Sequence, residues 1–381
     1  MISICLLGAS GSIGSQTLEV MESYPHDFAL TAFSVGHQTR KISPIIKRFP
    51  SVSMICVQEK SAMNKYAKKY PNLRFFYGNE GLVSLVECSH AEMIVNALVG
   101  FVGLVPSLTA LENNRLLALA NKESLVVGGE LIKDLLSRGK GKLFPIDSEH
   151  VALAKCLAVD SKNVKNLILT ASGGSFRHLA REDLKNVTPE QALHHPTWKM
   201  GSKITIDSAT MMNKTFEIIE AHYLFDYPFS KIKVIIHDES MIHSMIEYKG
   251  GTYRLDIGKA DMRVPITYAL SQGLCLYQTY LCSDYRQFAE YHFSPLSAKR
   301  FPVIKWAKKV IAKKGTFGAV LNAANEAAVS AFIKGKISFL DIERIVSILM
   351  KKHANIEHPT LKDILEVDAV TRQMAAKLIN K

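Results

Sequence analysis

The chain reads as an α/β protein in three parts: an N-terminal Rossmann-like parallel sheet, an α+β catalytic domain with a mixed sheet, and a C-terminal helical bundle. Three observations predict this. A strand, a glycine loop and a helix follow one another from residue 2, short apolar runs alternate with helical stretches as far as Ile146, and beyond Phe301 only helical patterns remain. At 381 residues the chain exceeds one ordinary core. The expected divisions are a dinucleotide-binding domain at 1–147, a catalytic and dimerising domain at 148–274, a connector at 275–300 and a helical domain at 301–381.

The first element is Ile2–Leu7, ended by Gly8-Ala9-Ser10-Gly11-Ser12-Ile13-Gly14, with a helix from Ser15 to Glu22. Glycines at 8, 11 and 14 allow a tight turn, close approach to a phosphate and packing of helix on strand, and the helix N-terminus then faces a pyrophosphate. The G-x-x-G-x-x-G spacing is less usual than G-x-G-x-x-G, but the strand-loop-helix context favours a dinucleotide over a plain turn. The second strand, Phe28–Val35, ends in Gly36-His37-Gln38-Thr39-Arg40-Lys41. An acid at its end would hold the ribose diol of NAD; here none is present, and His37, Arg40 and Lys41 suit a 2′-phosphate, which favours NADPH. The other reading is that Arg40 and Lys41 begin a surface helix.

Strands near Ser53–Val57, Met93–Ala97 and Leu116–Ala120 continue the βα alternation. Ala120 is followed by Asn121-Lys122-Glu123-Ser124, polar groups where such sheets place ligands or cap the next helix. Helix Gly129–Ser137 and strand Lys142–Ile146 lead to Asp147-Ser148-Glu149-His150. Read as extended backbone, Asp147 and Glu149 point to one side. Two such carboxylates stay ionised in a dry site only around a cation, and an all-oxygen pair suits Mg²⁺ or Mn²⁺. The alternative is a solvated loop in which Asp147 or Ser148 caps the following helix.

Strand Val164–Thr170 ends in Ala171-Ser172-Gly173-Gly174, a phosphate-binding concavity or an ordinary turn. His194 to Gly201 carries Trp198, one of two tryptophans, between Pro196 and Gly201, and reads as a lid or as a core anchor. Ile204–Ile206 is expected as a short strand, with Asp207-Ser208 capping a helix from Ala209 to Leu224. On that helix Asn213, Lys214 and Glu217 form one polar stripe among apolar neighbours; if buried, Glu217 needs a cation. Runs at Val234–His237, Met241–Tyr248 and Thr252–Ile257 give an antiparallel addition with a Gly250-Gly251 turn, and four helices follow, Pro302–Ala312, Phe317–Ile333, Phe339–Lys352 and Leu361–Ile379.

Composition narrows the function. With 48% hydrophobic and 22% charged residues the chain is globular. Its net charge of +12 suits anionic partners. The cations are dispersed and lack aromatic-basic motifs, which argues against nucleic acid. Six scattered cysteines suggest no disulfide framework and no zinc site. With no basic leader and no apolar run of membrane-spanning length, a cytoplasmic protein without membrane association is expected.

Taken together, Gly8–Gly14, Leu119–Ser124, Pro145–His150, Ala171–Gly174, His195–Trp198, Asp207–Lys214 with Glu217, and Leu321–Glu326 closely resemble the 1-deoxy-D-xylulose 5-phosphate reductoisomerase family over nearly the whole chain. The resemblance implies NADPH- and metal-dependent rearrangement and reduction of that sugar phosphate to 2-C-methyl-D-erythritol 4-phosphate by a homodimer. It implies Asp147, Glu149 and Glu217 as ligands of one Mg²⁺ or Mn²⁺. Substrate would be held by Ser148, Lys122, Ser172, His195, Trp198, Ser208, Asn213 and Lys214, with the loop from His195 to Gly201 closing over it. Ser10, Gly11, Ser12, Ile13, Gly36, His37, Gln38, Asn121, Glu123 and Gly201 would line the NADPH site. The chain departs from the family at His37, where Lys or Arg is more usual, and at Lys199, where a small polar residue is.

Overall fold

The computed structural model describes residues 1–274, 276 and 290–380. Seven strands, β1 (Ile2–Leu7), β2 (Phe28–Val35), β3 (Met54–Val57), β4 (Arg74–Tyr77), β5 (Met93–Asn96), β6 (Leu116–Leu119) and β7 (Lys142–Pro145), form one sheet in the order β4-β3-β2-β1-β5-β6-β7. Every pair in it is parallel. Helices between the strands cover both faces, so the strands run largely apolar; Ile4, Leu6, Leu30, Phe33, Ile55 and Val95 lie in one core. Chain order reverses between β1 and β5, and sheets of this kind open their ligand crevice at that point, beyond the carboxyl ends of the strands.

The glycine loop sits there. A Cβ on Gly8 would stand 2.6 Å from the Ala97 carbonyl oxygen, and one on Gly14 would stand 2.2 Å from the Gly8 oxygen. Close backbone packing therefore requires both. Gly11 has only that Gly8 oxygen at 3.4 Å, an ordinary contact, so the fold leaves its outer side open. Gly14→Ala is accordingly expected to lower the thermal stability of the protein, whereas Gly11→Ala should fold normally and weaken NADPH binding about tenfold. Differential scanning fluorimetry with a parallel NADPH titration separates the two; equal effects on both readouts would refute the assignment.

A second sheet orders as β11-β10-β8-β9-β12 from β8 (Val164–Ala171), β9 (Ile232–His237), β10 (Ile242–Tyr248), β11 (Tyr253–Ile257) and β12 (Phe293–Pro295). β8 and β9 are parallel and the other pairs antiparallel, so the sheet is mixed, as expected. The four C-terminal helices run Ile304–Lys313, Phe317–Ile333, Phe339–Lys352 and Leu361–Ile379. They share one core with the second sheet, in which Leu167, Phe216, Ile246, Phe332 and Ile345 pack together.

The chain clusters into two compact units. One holds Met1–Ser124, Leu131–Asp147 and the described part of Asp261–Leu281; the other holds Leu125–Glu130, Ser148–Ala260 and the described part of Cys282–Lys381. Thus 261–274 groups with the nucleotide-binding sheet, and the helical region shares a unit with the catalytic one.

Several elements differ from the sequence reading. Ile204–Ile206 is not a strand: Ser202–Thr210 is a helix, and Asp207 and Ser208 lie inside it rather than capping the next. That next helix, Met212–Phe225, follows after a single left-handed residue, Met211 at φ 64°. β-branched Ile and Thr favour strand locally, but Thr205 and Ile206 are buried here, and tertiary packing overrides the propensity. The helix expected from Gly129 starts at Lys122 and bends at Gly128. β4, Arg-Phe-Phe-Tyr, carries no alternating apolar pattern that would mark a strand, and its burial runs exposed, half, half, exposed. Of the connector at 275–300, residues 275 and 277–289 lie outside the described residues, and 293–295 form β12 on β9.

Candidate active site

In the second unit three charged side chains and an amide meet at the start of the Met212–Phe225 helix. The carboxyl of Glu217 is fully buried and Lys214 is 3% exposed. Lys214 Nζ donates to Glu149 Oε1 at 2.8 Å and to Glu217 Oε2, and the Thr170 carbonyl accepts from it as well. Asn213 Nδ2 donates to the other Glu217 oxygen at 2.5 Å. The three- and four-residue spacing read as a stripe thus faces inward. Burial works against a charge on Lys214, but the carboxylates of Glu149 and Glu217 overcome it and hold the ammonium pKa above the usual lysine range. A fully buried carboxylate and a half-buried one converge on one cation, the arrangement that a buried Glu217 requires.

Glu149 reaches this point from a helix, not from extended backbone. Ser148–Val159 is helical, so the expected strand geometry for Asp147 and Glu149 is replaced by a strand-to-helix junction, with Glu149 in the first turn where the helix dipole favours negative charge. Ser148 Oγ donates to Glu149 Oε2 at 2.6 Å. His150, fully buried, fixes the junction to the other helix: its Nε2 lies 3.0 Å from the Glu217 carbonyl oxygen, and its Nδ1 lies 3.3 Å from Glu220 Oε2. In the first unit, Asp147 ends the β7 segment with its carboxylate paired to the buried Lys122 ammonium.

Around β8 the small residues have a structural task. Gly174 at φ 71° would place a Cβ 2.5 Å from the Ser208 carbonyl oxygen, so the Ser172-Gly173-Gly174 turn lies directly on the helix that carries Ser208. Ser172 Oγ is 3.0 Å from His195 Nε2, while Thr197 and Trp198 amides donate to His195 Nδ1 at 3.2 and 2.9 Å. Nδ1 therefore accepts, and Nε2 carries the proton toward Ser172. Burial, with the nearby Arg177 charge, pushes the His195 pKa down to about 4. A histidine ordinarily titrates near 6.5. With the folded value depressed, the unfolded chain binds the proton first, so stability is full above about 6.5 and falls as pH drops toward 4. Urea midpoints taken across that range should slope downward, and less steeply in His195→Asn; parallel slopes would overturn the linkage.

Trp198 is half-buried, its ring centroid 6.2 Å from that of His243. Gly201 is the N-cap of Ser202–Thr210, with open space around its α-carbon. Lys199 is exposed.

At the nucleotide sheet, the helix Ser12–Ser23 begins at Gly11 with no capping side chain and no acid in its first turn, so its amides suit an anion. Ser10 turns its carbonyl to Lys41 Nζ at 2.9 Å; Ser12, Gly36, His37 and Gln38 are exposed and Ile13 is half-buried. Asn121 is committed to the fold: its Oδ1 caps the following helix at Ser124 N, and its Nδ2 donates to the Leu98 and Gly100 carbonyls and to Glu123 Oε2. For Asn121 the capping alternative describes the side chain.

Sequence reasoning gave no role to two residues that meet Asp207 of the Ser208 helix. Asn325 Nδ2 donates to Asp207 Oδ1 at 2.8 Å, with both groups buried, and Lys203 Nζ takes Asp207 Oδ2 at 2.8 Å. The available signal was two asparagines, Asn322 and Asn325, in the otherwise apolar face of an alanine-rich helix.

The fold and these clusters define an α/β oxidoreductase with a dinucleotide-binding sheet and a buried carboxylate-lysine site. Profiles of three domains, described as 1-deoxy-D-xylulose 5-phosphate reductoisomerase, its C-terminal domain, and DXP reductoisomerase C-terminal domain, match residues 4–129, 143–225 and 257–374. The chain belongs to the 1-deoxy-D-xylulose 5-phosphate reductoisomerase family. A relative of that description from Bacillus thuringiensis subsp. konkukian is 44% identical over the full length of both chains, and one from Geobacillus sp. (strain WCH70) is 43% identical over 99% of each. Among solved structures, a DOX-P reductoisomerase in complex with NADPH, fosmidomycin and magnesium superposes with a TM-score of 0.93 at 33% identity, covering 100% of this chain and 98% of the other. The Zymomonas mobilis enzyme in complex with NADPH gives 0.91 at 34% identity over 99% of each.

Proposed function

We propose that Asp147, Glu149 and Glu217 hold one divalent ion, Mg²⁺ or Mn²⁺, and that the groups around β8 and Ser202–Phe225 receive a sugar phosphate. The chain is an NADPH- and metal-dependent enzyme that rearranges and reduces 1-deoxy-D-xylulose 5-phosphate to 2-C-methyl-D-erythritol 4-phosphate. One observation carries the metal reading: the half-buried Glu149 and the fully buried Glu217 bring carboxylate oxygens together on the single cationic nitrogen of Lys214. Asp147 adds a third carboxylate two residues before Glu149. A divalent ion bound there supplies Lewis-acid polarisation of the substrate carbonyl.

The side chains divide the remaining work. Ser172, Ser208, Asn213 and Lys214 grip the phosphate, with the Nε2 proton of His195 beside Ser172. Binding energy from this remote group orients the reacting end. Ser148 and Lys122 contact the sugar. His195 to Gly201 closes over it, Trp198 lying on the carbon chain and excluding water. Ser10, Gly11, Ser12, Ile13, Gly36, His37, Gln38, Asn121, Glu123 and Gly201 line the NADPH site, Asn121 through its backbone.

A homodimer would join along the edge of the second sheet, a placement supported by Tyr253 and Leu255 on β11, 56% and 43% exposed. The free thiols of buried Cys5, Cys56 and Cys156 support a reducing, cytoplasmic setting. No helix among the described residues is long and apolar enough to cross a membrane.

The test is consumption of NADPH on addition of the sugar phosphate, with the product's carbon skeleton determined by NMR. A branched chain, and loss of turnover in excess chelator restored by Mg²⁺, is the expected result. An unbranched product, or full activity in chelator, would overturn it.

A further inference from the structure

The end of β2 differs from its sequence reading in one respect that bears on cofactor choice. β2 and β3 pair in parallel with Val35 opposite Val57. The residues two places beyond each strand, His37 and Glu59, therefore leave the sheet side by side, and His37 Nδ1 lies 3.5 Å from Glu59 Oε1. An acid thus stands where the β2 sequence showed none, brought there by strand register from 22 positions away in the chain. The three basic residues of this corner are also unequal. Lys41 is engaged with the Ser10 carbonyl at 2.9 Å. His37 faces Glu59. Arg40 is exposed and makes no ion pair among the described residues.

We propose that Glu59 is a specificity-determining residue of the cofactor site: it offsets the positive corner beside the adenosine ribose and so narrows the preference for NADPH over NADH, leaving Arg40 as the cation that meets the 2′-phosphate. The chemistry favours opposite responses from the two nucleotides. A carboxylate repels a 2′-phosphate, whereas it can accept a hydrogen bond from the free 2′-hydroxyl of NADH. Both side chains are well exposed, 77% and 61%, so solvent screens the interaction and the effect falls with salt. The inference rests on NADPH lying along the carboxyl ends of β1 and β2, as proposed above.

The experiment measures binding to the intact protein by calorimetry, using 2′,5′-ADP and 5′-AMP as probes at low and at high salt, with steady-state KM for NADPH and NADH alongside. Glu59→Gln should tighten 2′,5′-ADP three- to tenfold at low salt, leave 5′-AMP unchanged or weaker, and lose most of the gain at high salt. Arg40→Gln should weaken 2′,5′-ADP about tenfold and leave 5′-AMP unchanged. Equal changes in both probes, or none, in Glu59→Gln would overturn the proposal. Failure of the unsubstituted protein to bind either probe would instead sink the placement of the cofactor itself. Both positions are on the surface, so circular dichroism should show native folding in each variant.

Discussion

Replacing Glu217 by glutamine is expected to lower kcat by about 10³-fold while leaving the fold and NADPH binding in place. The substitution keeps the volume of a fully buried side chain and the two-oxygen-sized head that Asn213 and Lys214 approach, so no cavity opens. What disappears is one negative charge and one acceptor. An amide turned either way presents NH₂ to a donor, Lys214 or Asn213, where the carboxylate accepted from both. The site would then hold a divalent ion far more weakly, and the magnesium concentration for half-maximal activity should rise together with the fall in kcat. NADPH fluorescence titration supplies the control, because the glycine loop belongs to the other unit. Activity within tenfold of the unsubstituted enzyme at saturating magnesium would refute a ligand role for this residue.

Glu217 was legible because helical spacing is short-range physics. Asn213 and Lys214 stand four and three residues before it, and a helix whose flanks are apolar leaves such a stripe nowhere to go but inward. The glycine loop was legible for a similar reason, since Gly8 and Gly14 answer local backbone contacts. What escaped were relations set by tertiary packing. Ile204–Ile206 has strand propensity, yet the segment is buried as a helix, and that moved Asp207 and Ser208 from a cap into the helix itself. Asp207 meets Asn325 across 118 positions of chain, and Glu59 meets His37 only through the register of β2 on β3. The junction after β7 was read with the right residues and the wrong backbone. Asp147 and Glu149 looked extended by continuation of the strand, whereas Ser148 already opens a helix, and the first turn turns Glu149 toward Lys214.

Lys214→Met should produce the largest loss of stability of any single change at this site, about 3–5 kcal/mol, because it leaves the fully buried Glu217 and the half-buried Glu149 facing each other as charges without their counter-ion. Methionine fills most of the space of the lysine stem, so the cost is electrostatic and not a cavity. That origin makes a second, less obvious result predictable. A divalent ion taken up by the same carboxylates supplies the missing positive charge, so adding magnesium should raise the urea midpoint of Lys214→Met more than that of the unsubstituted protein and narrow the gap between them. Catalysis should not follow. The phosphate would still lack its ammonium partner, and KM for the sugar phosphate should stay raised by at least about tenfold when stability has been recovered. Recovery of both quantities by magnesium would show that Lys214 serves only as a counter-ion to the carboxylates. Recovery of neither would mean that Glu149 and Glu217 do not share an ion, and the metal site would have to be placed elsewhere.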